Sequence, residues 1–393
     1  MTLVSLVSQS PAAVQEALAQ RGVDAVHAEA TARGAQPLAI LLDDLDAEGR
    51  ELTASAAHRK GIDCLTGEGW AFLSGGATAL ASLTRSGGSA LPAEVAGELG
   101  RVLGAALERP LQWTTSRGRI DLGRPIMVGI LNVTPDSFSD GGRYLDPDRA
   151  LRQADSLVEA GADMLDVGAE STRPGSPDEV SLDEEWARLA PVLVGLLQEY
   201  PDLPLSVDTV KAATAQRALD HGAWAINDVS GLRLDPMIAQ VCAEFDAGLI
   251  LMHSRGTVAD MASYDHAHYE HLVQEVQGEL LESVKLAEAR GVRPERLVVD
   301  PGLGFAKRPE QNLELLRDLD ALSALGFPVM VGPSRKRFLG MVTGRDVAER
   351  DLATAAACVS AYFGGAALFR VHAVEPTREA LLVAHAVRSA DVL

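Results

Sequence analysis

The sequence predicts a closed (β/α)8 barrel preceded by a small α/β or α+β module over residues 1–110. Three observations carry that reading. From Ile126 onward, short apolar runs alternate eight times with amphipathic segments of helical period. Each apolar run ends in a polar residue and a loop, the arrangement by which a parallel sheet presents functional side chains at its carboxyl edge. Residues before Pro110 are Ala-rich and carry none of those polar ends. The alternative is an open doubly wound sheet, which would leave one pair of strands as edges.

In the N-terminal module, Ser10 followed by Pro11 caps a helix over Pro11–Gln20. Leu38–Leu42 reads as a strand, Ala47–Lys60 as a helix, and Asp63–Thr66 with Trp70–Ser74 as a β-pair. Helices follow near Thr78–Thr84 and Pro92–Leu107, with Ser86–Pro92 as a loop. After a linker at Arg109-Pro110, the TSRGR turn within Leu111–Gly123 predicts a hairpin.

The barrel begins with Ile126–Leu131, which lacks helical period and reads as a strand buried on both faces. At Asn132 the composition changes to Thr, Pro, Asp, Ser, Phe and a glycine pair. This is an exposed loop in which Pro135 fixes one φ and Gly141-Gly142 frees two residues. The further strands are Met164–Gly168, Leu205–Val207, Trp224–Ile226, Leu249–Met252, Leu297–Val299, Val329–Val331 and Ala367–Val371. The helices are Pro147–Ala160, Leu182–Tyr200, Lys211–His221, Pro236–Phe245, His266–Arg290, Pro309–Leu325, Asp346–Tyr362 and Glu375–Ser389. The domain expectation is therefore a module at 1–110 and a barrel at 111–393 that holds the chemistry.

Charge narrows the function. Thirty-five Lys and Arg against 55 Asp and Glu give a net charge of −20, which argues against a nucleic-acid or anionic-membrane surface. An anionic ligand would need a local basic island. Cys64, Cys242 and Cys358 form no CxxC spacing and read as reduced, buried cytosolic thiols. The start lacks a basic segment followed by a long apolar core, so no signal peptide is expected, and no apolar run is long enough for a membrane span. The expected location is the cytoplasm.

The strand ends gather Asn132, Glu170-Ser171-Thr172-Arg173, Asp208, Asn227-Asp228, His253, Asp300, Ser334-Arg335-Lys336, Arg370 and His372. One polar strand end occurs by chance; a complete ring of them marks a site. The motifs GILNVTPDSFSDGG (Gly129–Gly142), ESTRPGS (Glu170–Ser176), SVDT (Ser206–Thr209), INDVSG (Ile226–Gly231), DPGLGFAK (Asp300–Lys307), SRK (Ser334–Lys336) and RVH (Arg370–His372) run through the barrel in order. In these the chain resembles dihydropteroate synthase, a pterin-binding TIM-barrel family of the folate pathway. The resemblance leaves the N-terminal module uncovered. It implies condensation of 6-hydroxymethyl-7,8-dihydropterin pyrophosphate with p-aminobenzoate, with Mg²⁺ as cofactor and a homodimer as the assembly.

A pterin presents an amino-pyrimidinone edge with adjacent N–H donors, for which a buried carboxylate is the natural bidentate partner. The resemblance gives that role to Asp300, with Asn227 reading the neighbouring ring nitrogen and amino group. It implies that Lys336 donates to the pterin carbonyl and N5, and that Asp208 lies near the other ring edge. Arg370, His372 and Asn132 would form the pyrophosphate site, Asn132 also touching Mg²⁺, and Arg370 would stack on the pterin. The resemblance also implies that two loops, Thr134–Gly142 and Glu170–Pro177, close over the site and build the p-aminobenzoate pocket, with Phe138, Thr172, Pro174, Phe305 and Ser334 as its contacts and Arg173 as a further substrate-binding residue. Asp208, Lys336, Arg370 and His372 are the expected catalytic groups.

The chain departs from the usual family pattern at Ser254-Arg255 after the fifth barrel strand, at Ala306 where glycine is frequent, and at Ala373 in place of an acidic residue. Two readings from other classes compete. Corrinoid-dependent methyltransferases share the Asn and Asp pterin contacts but need no pyrophosphate site. A degenerate barrel could bind pterin without catalysis.

Overall fold

The computed structural model describes residues 24, 26, 37–42, 44–84, 91–107, 110–134, 147–170 and 180–389. The chain divides into two compact units, Met1–Arg109 and Pro110–Leu393. The helix expected at Pro11–Gln20 and most of the Ser86–Pro92 loop lie outside the described residues.

In the first unit, β1 (Pro37–Leu42), β2 (Asp63–Gly67) and β3 (Trp70–Gly76) form an antiparallel sheet with β3 in the centre. The β2–β3 turn holds Gly69 at positive φ. Helices α1 (Ala47–Arg59), α2 (Ala77–Ala81) and α3 (Ala93–Leu107) belong to the same unit. The Asp46 carboxylate caps α1 by accepting the Gly49 N–H at 2.7 Å. Leu38, Ile40 and Leu42, alternate residues of β1, pack against Leu73, Leu80, Leu99 and Leu103, so this unit has a core of its own.

The second unit opens with the hairpin β4 (Gln112–Thr115) and β5 (Gly118–Asp121). Its Trp113 is fully buried, and its indole N–H donates to Arg296 O at 2.8 Å. With Ile120 and Leu122 it packs on Ile126, Val128, Met164, Ala225, Ile250, Val298, Met330 and Leu368 and so floors the barrel. Gly248 is small for this reason: a Cβ there would lie 2.5 Å from the Trp113 ring.

Eight parallel strands follow: β6 (Ile126–Asn132), β7 (Met164–Gly168), β8 (Leu205–Asp208), β9 (Ala225–Asp228), β10 (Gly248–Met252), β11 (Leu297–Asp300), β12 (Met330–Val331) and β13 (Leu368–Val371). Their order is β11-β10-β9-β8-β7-β6-β13-β12, and a parallel bridge between Val299 and Val329 joins the two ends. That bridge excludes the open doubly wound sheet. Outside run α4 (Pro147–Glu159), α5 (Leu182–Glu199), α6 (Ala212–His221), α7 (Met237–Glu244), α8 (Leu272–Ala289), α9 (Pro309–Arg317), α10 (Asp320–Ser323), α11 (Arg337–Thr343), α12 (Asp351–Phe363) and α13 (Val374–Ser389). The main core fills the layer between strands and helices.

Several elements differ from expectation for local reasons. The helix expected from His266 starts at Leu272, because the Glu275 carboxylate accepts the Glu270 and His271 N–H groups at 2.7 and 2.8 Å and caps it there. The segment Pro309–Leu325 splits after Arg317 into α9 and α10. Helix α11 follows the SRK segment and has no counterpart in the sequence reading. The seventh barrel strand shortens to two residues.

Candidate active site

Parallel register brings the polar strand ends to one rim. Asn132 ends β6, Asp208 ends β8, Asp300 ends β11, Asn227 is the penultimate residue of β9, and Arg370 sits one residue before the end of β13. Gly168 pairs with Asp208 and Asn132 in the sheet register, and Asp208 pairs with Asn227.

At the centre is Asp166, a 1% exposed carboxylate inside the apolar run of β7. Its Oδ2 accepts Arg370 Nε at 2.6 Å and Asn227 Nδ2 at 3.0 Å, and its Oδ1 accepts Ser206 Oγ at 2.5 Å. Arg370 Nη2 donates to Asp208 Oδ2 at 2.9 Å, so one guanidinium spans two carboxylates from different strands. Because Asn227 gives its amide N–H to Asp166, its Oδ1 faces away and is a buried acceptor with no partner among the described residues. A buried polar atom left unsatisfied is costly, and a ligand N–H is one way to satisfy it.

Asp300 is 3% exposed, and its Oδ1 accepts the Gly302 N–H at 2.7 Å. Burial pushes its carboxyl up to about 6, against the pull of that N–H, Arg370, Lys336 and Lys307. Burial also raises Asp208 above the usual carboxylate range, with Arg370 opposing and Asp166 adding to the shift. Gly302 takes φ +67°, and a Cβ there would meet His253 O at 1.9 Å, so only glycine permits this turn. The turn carries Phe305, 8% exposed, over whose ring the Lys336 ammonium sits at 3.9 Å. Ser334 Oγ lies 2.9 Å from His372 Nδ1 and accepts the His372 N–H at 3.1 Å.

Asp208, Asn227 and Arg370 are thus brought into one network around Asp166, Phe305 and Lys336 into a stacked pair, and Ser334 and His372 into another pair. Phe138, Thr172, Arg173 and Pro174 lie outside the described residues. Asp228 is fully buried and committed to its own turn, accepting Ser230 N, Ser230 Oγ and Leu232 N at 2.8, 2.7 and 2.6 Å. Among the described residues, no group of three or more His, Cys, Asp or Glu could hold a metal.

Asp166 and Lys307 escaped the sequence reading. The available signal was the same for both: a charge inside a segment that otherwise reads as buried, MLDVG in one case and GLGFAK in the other.

A barrel whose rim gathers a buried carboxylate, an amide acceptor, a guanidinium and an aromatic-stacked ammonium defines a pterin-binding enzyme, and the family model described as pterin binding enzyme matches residues 128–372. A dihydropteroate synthase of Synechocystis sp. is 45% identical over 265 residues, covering 67% of this chain and 90% of the relative. The chain belongs to the dihydropteroate synthase family. Among solved structures, Xanthomonas albilineans dihydropteroate synthase with 4-aminobenzoic acid is 41% identical with a TM-score of 0.66, covering 71% of this chain and 98% of that one. The same enzyme in complex with 7,8-dihydropteroate is 39% identical with a TM-score of 0.63, covering 71% and 99%.

Proposed function

We propose that the barrel joins 6-hydroxymethyl-7,8-dihydropterin pyrophosphate to p-aminobenzoate, giving 7,8-dihydropteroate and pyrophosphate in folate biosynthesis. The observation that carries this reading is the buried Asn227 Oδ1, which has no partner among the described residues and lies two strands from the Asp300 carboxylate. Together these acceptors suit the adjacent N–H donors of a pterin edge.

In this reading Asp300 and Asn227 hold the amino-pyrimidinone edge, and Lys336 donates to the pterin carbonyl and N5. The planar Arg370 guanidinium, held in place by Asp166 and Asp208, stacks on the ring. The C–O bond to pyrophosphate breaks, its electron pair leaving with the pyrophosphate oxygen, while the amine of p-aminobenzoate forms the new C–N bond and gives up one proton to the departing pyrophosphate. Asp208 supplies negative charge where positive charge develops on the pterin side, and Arg370 with His372 meets the departing anion. Phe305 and Ser334, with Phe138, Thr172, Arg173 and Pro174 from the two loops, line the aminobenzoate side. Excluding water there prevents hydrolysis of the electrophilic carbon.

Asn132 offers one amide oxygen at the rim. Mg²⁺ retains water and phosphate oxygens and needs few protein ligands, so this donor fits it, with the substrate pyrophosphate completing the shell. The ion would neutralise charge on the leaving group.

The pairing partner of the barrel is a second copy. Leu352 (82% exposed) on α12 and Val383 (66%) and Val387 (68%) on α13 expose apolar surface on neighbouring helices, which supports a homodimer through this side. The module at 1–110 is assigned an accessory role. Cys64, Cys242 and Cys358 are free thiols, in keeping with a reducing cytoplasm, and among the described residues no helix is long and apolar enough to cross a membrane.

The test is product formation from dihydropterin pyrophosphate, Mg²⁺ and p-aminobenzoate. Dihydropteroate appearing with stoichiometric pyrophosphate supports the reading. Tight pterin binding without pyrophosphate release would favour a non-catalytic pterin protein.

A further inference from the structure

Behind the end of β11 lies a closed ring of side chains. Lys307, 1% exposed, donates to His253 Nδ1 at 2.8 Å, Phe305 O at 3.1 Å and Gly302 O at 3.3 Å. His253 turns Nε2 to Glu279 Oε2 at 3.1 Å. Glu279 pairs with Arg255, which also reaches Glu275 Oε2 at 2.8 Å and lies 4.0 Å from the Tyr269 ring centroid. Tyr269 OH donates to Ala306 O at 3.0 Å, returning the chain of contacts to the residue beside Lys307. The ring is joined to the site twice: His253 N–H donates to Asp300 O at 2.8 Å, and Gly302 N–H donates to Asp300 Oδ1 at 2.7 Å. Arg255 and Ala306, two departures from the family pattern, both belong to it. Ala306 sits at φ +46°, held by its N–H to Met261 O at 2.7 Å.

We infer that Lys307 is a positioning residue whose buried ammonium, braced by His253, fixes the Gly302–Lys307 turn and holds the Asp300 carboxylate ionised and in place for a pterin edge. This rests on the proposed role of Asp300. Burial and the Lys307 charge lower His253 to about 4, so the imidazole is neutral at neutral pH. Its Nδ1 lone pair then accepts from Lys307, and its Nε2–H donates to Glu279. Burial lowers Lys307 to about 7 while Asp300 and Glu279 hold it up. The charged groups facing it are Asp300 from β11, Glu279 from α8, Arg255 from the loop after β10 and Lys336 before α11, two anions against two cations. A proton lost from Lys307 removes one of the charges that keep Asp300 ionised.

The experiment is calorimetry of the full chain with 6-hydroxymethylpterin between about pH 5 and 7.5, spanning the raised carboxyl of Asp300. Affinity falls on the acid side as Asp300 protonates. Lys307→Met is expected to move that midpoint up by roughly one pH unit, and Lys307→Arg to restore it toward the parent value. Lys307→Gln, which keeps an N–H donor for His253 and the turn carbonyls, is the second neutral variant, used where Lys307→Met does not fold. It removes the charge while keeping a polar group in the turn, and so also moves the midpoint up. An unmoved or lowered midpoint in whichever of the two neutral variants folds overturns the inference, whatever happens to Tm. If the parent chain binds the pterin with no acid limb, or Asp300→Asn binds as well as the parent, the role of Asp300 fails and the inference falls with it.

Discussion

Asp166 and Arg370, 204 positions apart in the chain, meet at 2.6 Å, one from β7 and the other from β13, which flank β6 on its two sides. The carboxylate is 1% exposed and the guanidinium side chain 20% exposed, so the pair is shielded from water and held by further bonds to Ser206, Asn227 and Asp208. Such a pair need not stabilise the fold relative to apolar residues, but removing one member strands the other. Asp166→Leu is expected to cost about 3–5 kcal/mol in denaturant unfolding. It should also free Arg370 and let the Asn227 amide rotate, so pterin affinity drops in the same variant. Unchanged unfolding midpoints and unchanged affinity would show that the pair organises nothing.

Asp300→Asn is expected to weaken binding of a pterin analogue by about 2–4 kcal/mol, because an amide cannot accept two N–H donors as a carboxylate does. The carboxyl, pushed up by burial to about 6, must lose its proton to accept both, so the parent's affinity is present above that pH and lost as pH falls through it. The variant should lack this acid limb as well as affinity. Calorimetry showing parent-like affinity in Asp300→Asn would remove the residue from the pterin edge.

Arg370→Lys preserves charge and tests the fork. The guanidinium reaches Asp166 through Nε and Asp208 through Nη2, while a single ammonium on a shorter stem cannot bridge both in one plane or stack on a ring. A fall in kcat/KM of about 10- to 100-fold with a small change in Tm is expected. Parent-like turnover would mean that charge alone suffices at this position.

The barrel was legible in the sequence because its strands are buried on both faces and its helices are amphipathic, two patterns that differ in period. Met164–Gly168 matches its strand end for end, and Ile126, Leu205 and Leu297 begin theirs as read. The ends were harder. Asp208 and Asp300 are the last residues of their strands, where a polar side chain reads as loop. Helix α8 begins at a cap made by a Glu side chain four residues inside the helix, a device that periodicity does not register. Asp166 is not legible because a polar residue marks a strand end only where it follows the apolar run, and this one lies within the run. Its partners come from three other strands, and only the closed sheet brings them together.

Removing residues 1–108 is expected to leave the chemistry intact. All the strand-end groups described above lie after Ile126, and the β4–β5 hairpin that floors the barrel through Trp113 belongs to the second unit. Among the described residues, the core of the first unit, centred on Leu73, Leu80, Leu99 and Leu103, is made of residues of that unit. A segment with its own core can be detached without opening another. A truncated chain beginning at Arg109 should therefore fold cooperatively and turn over with kcat and KM close to those of the full chain. Circular dichroism and sedimentation establish folding and assembly, and the product assay establishes activity. Lost solubility with restored activity on mild refolding still fits an accessory module. A folded, dimeric and inactive truncation would show that the first unit contributes to the site, and the assignment of all catalysis to the barrel would be wrong.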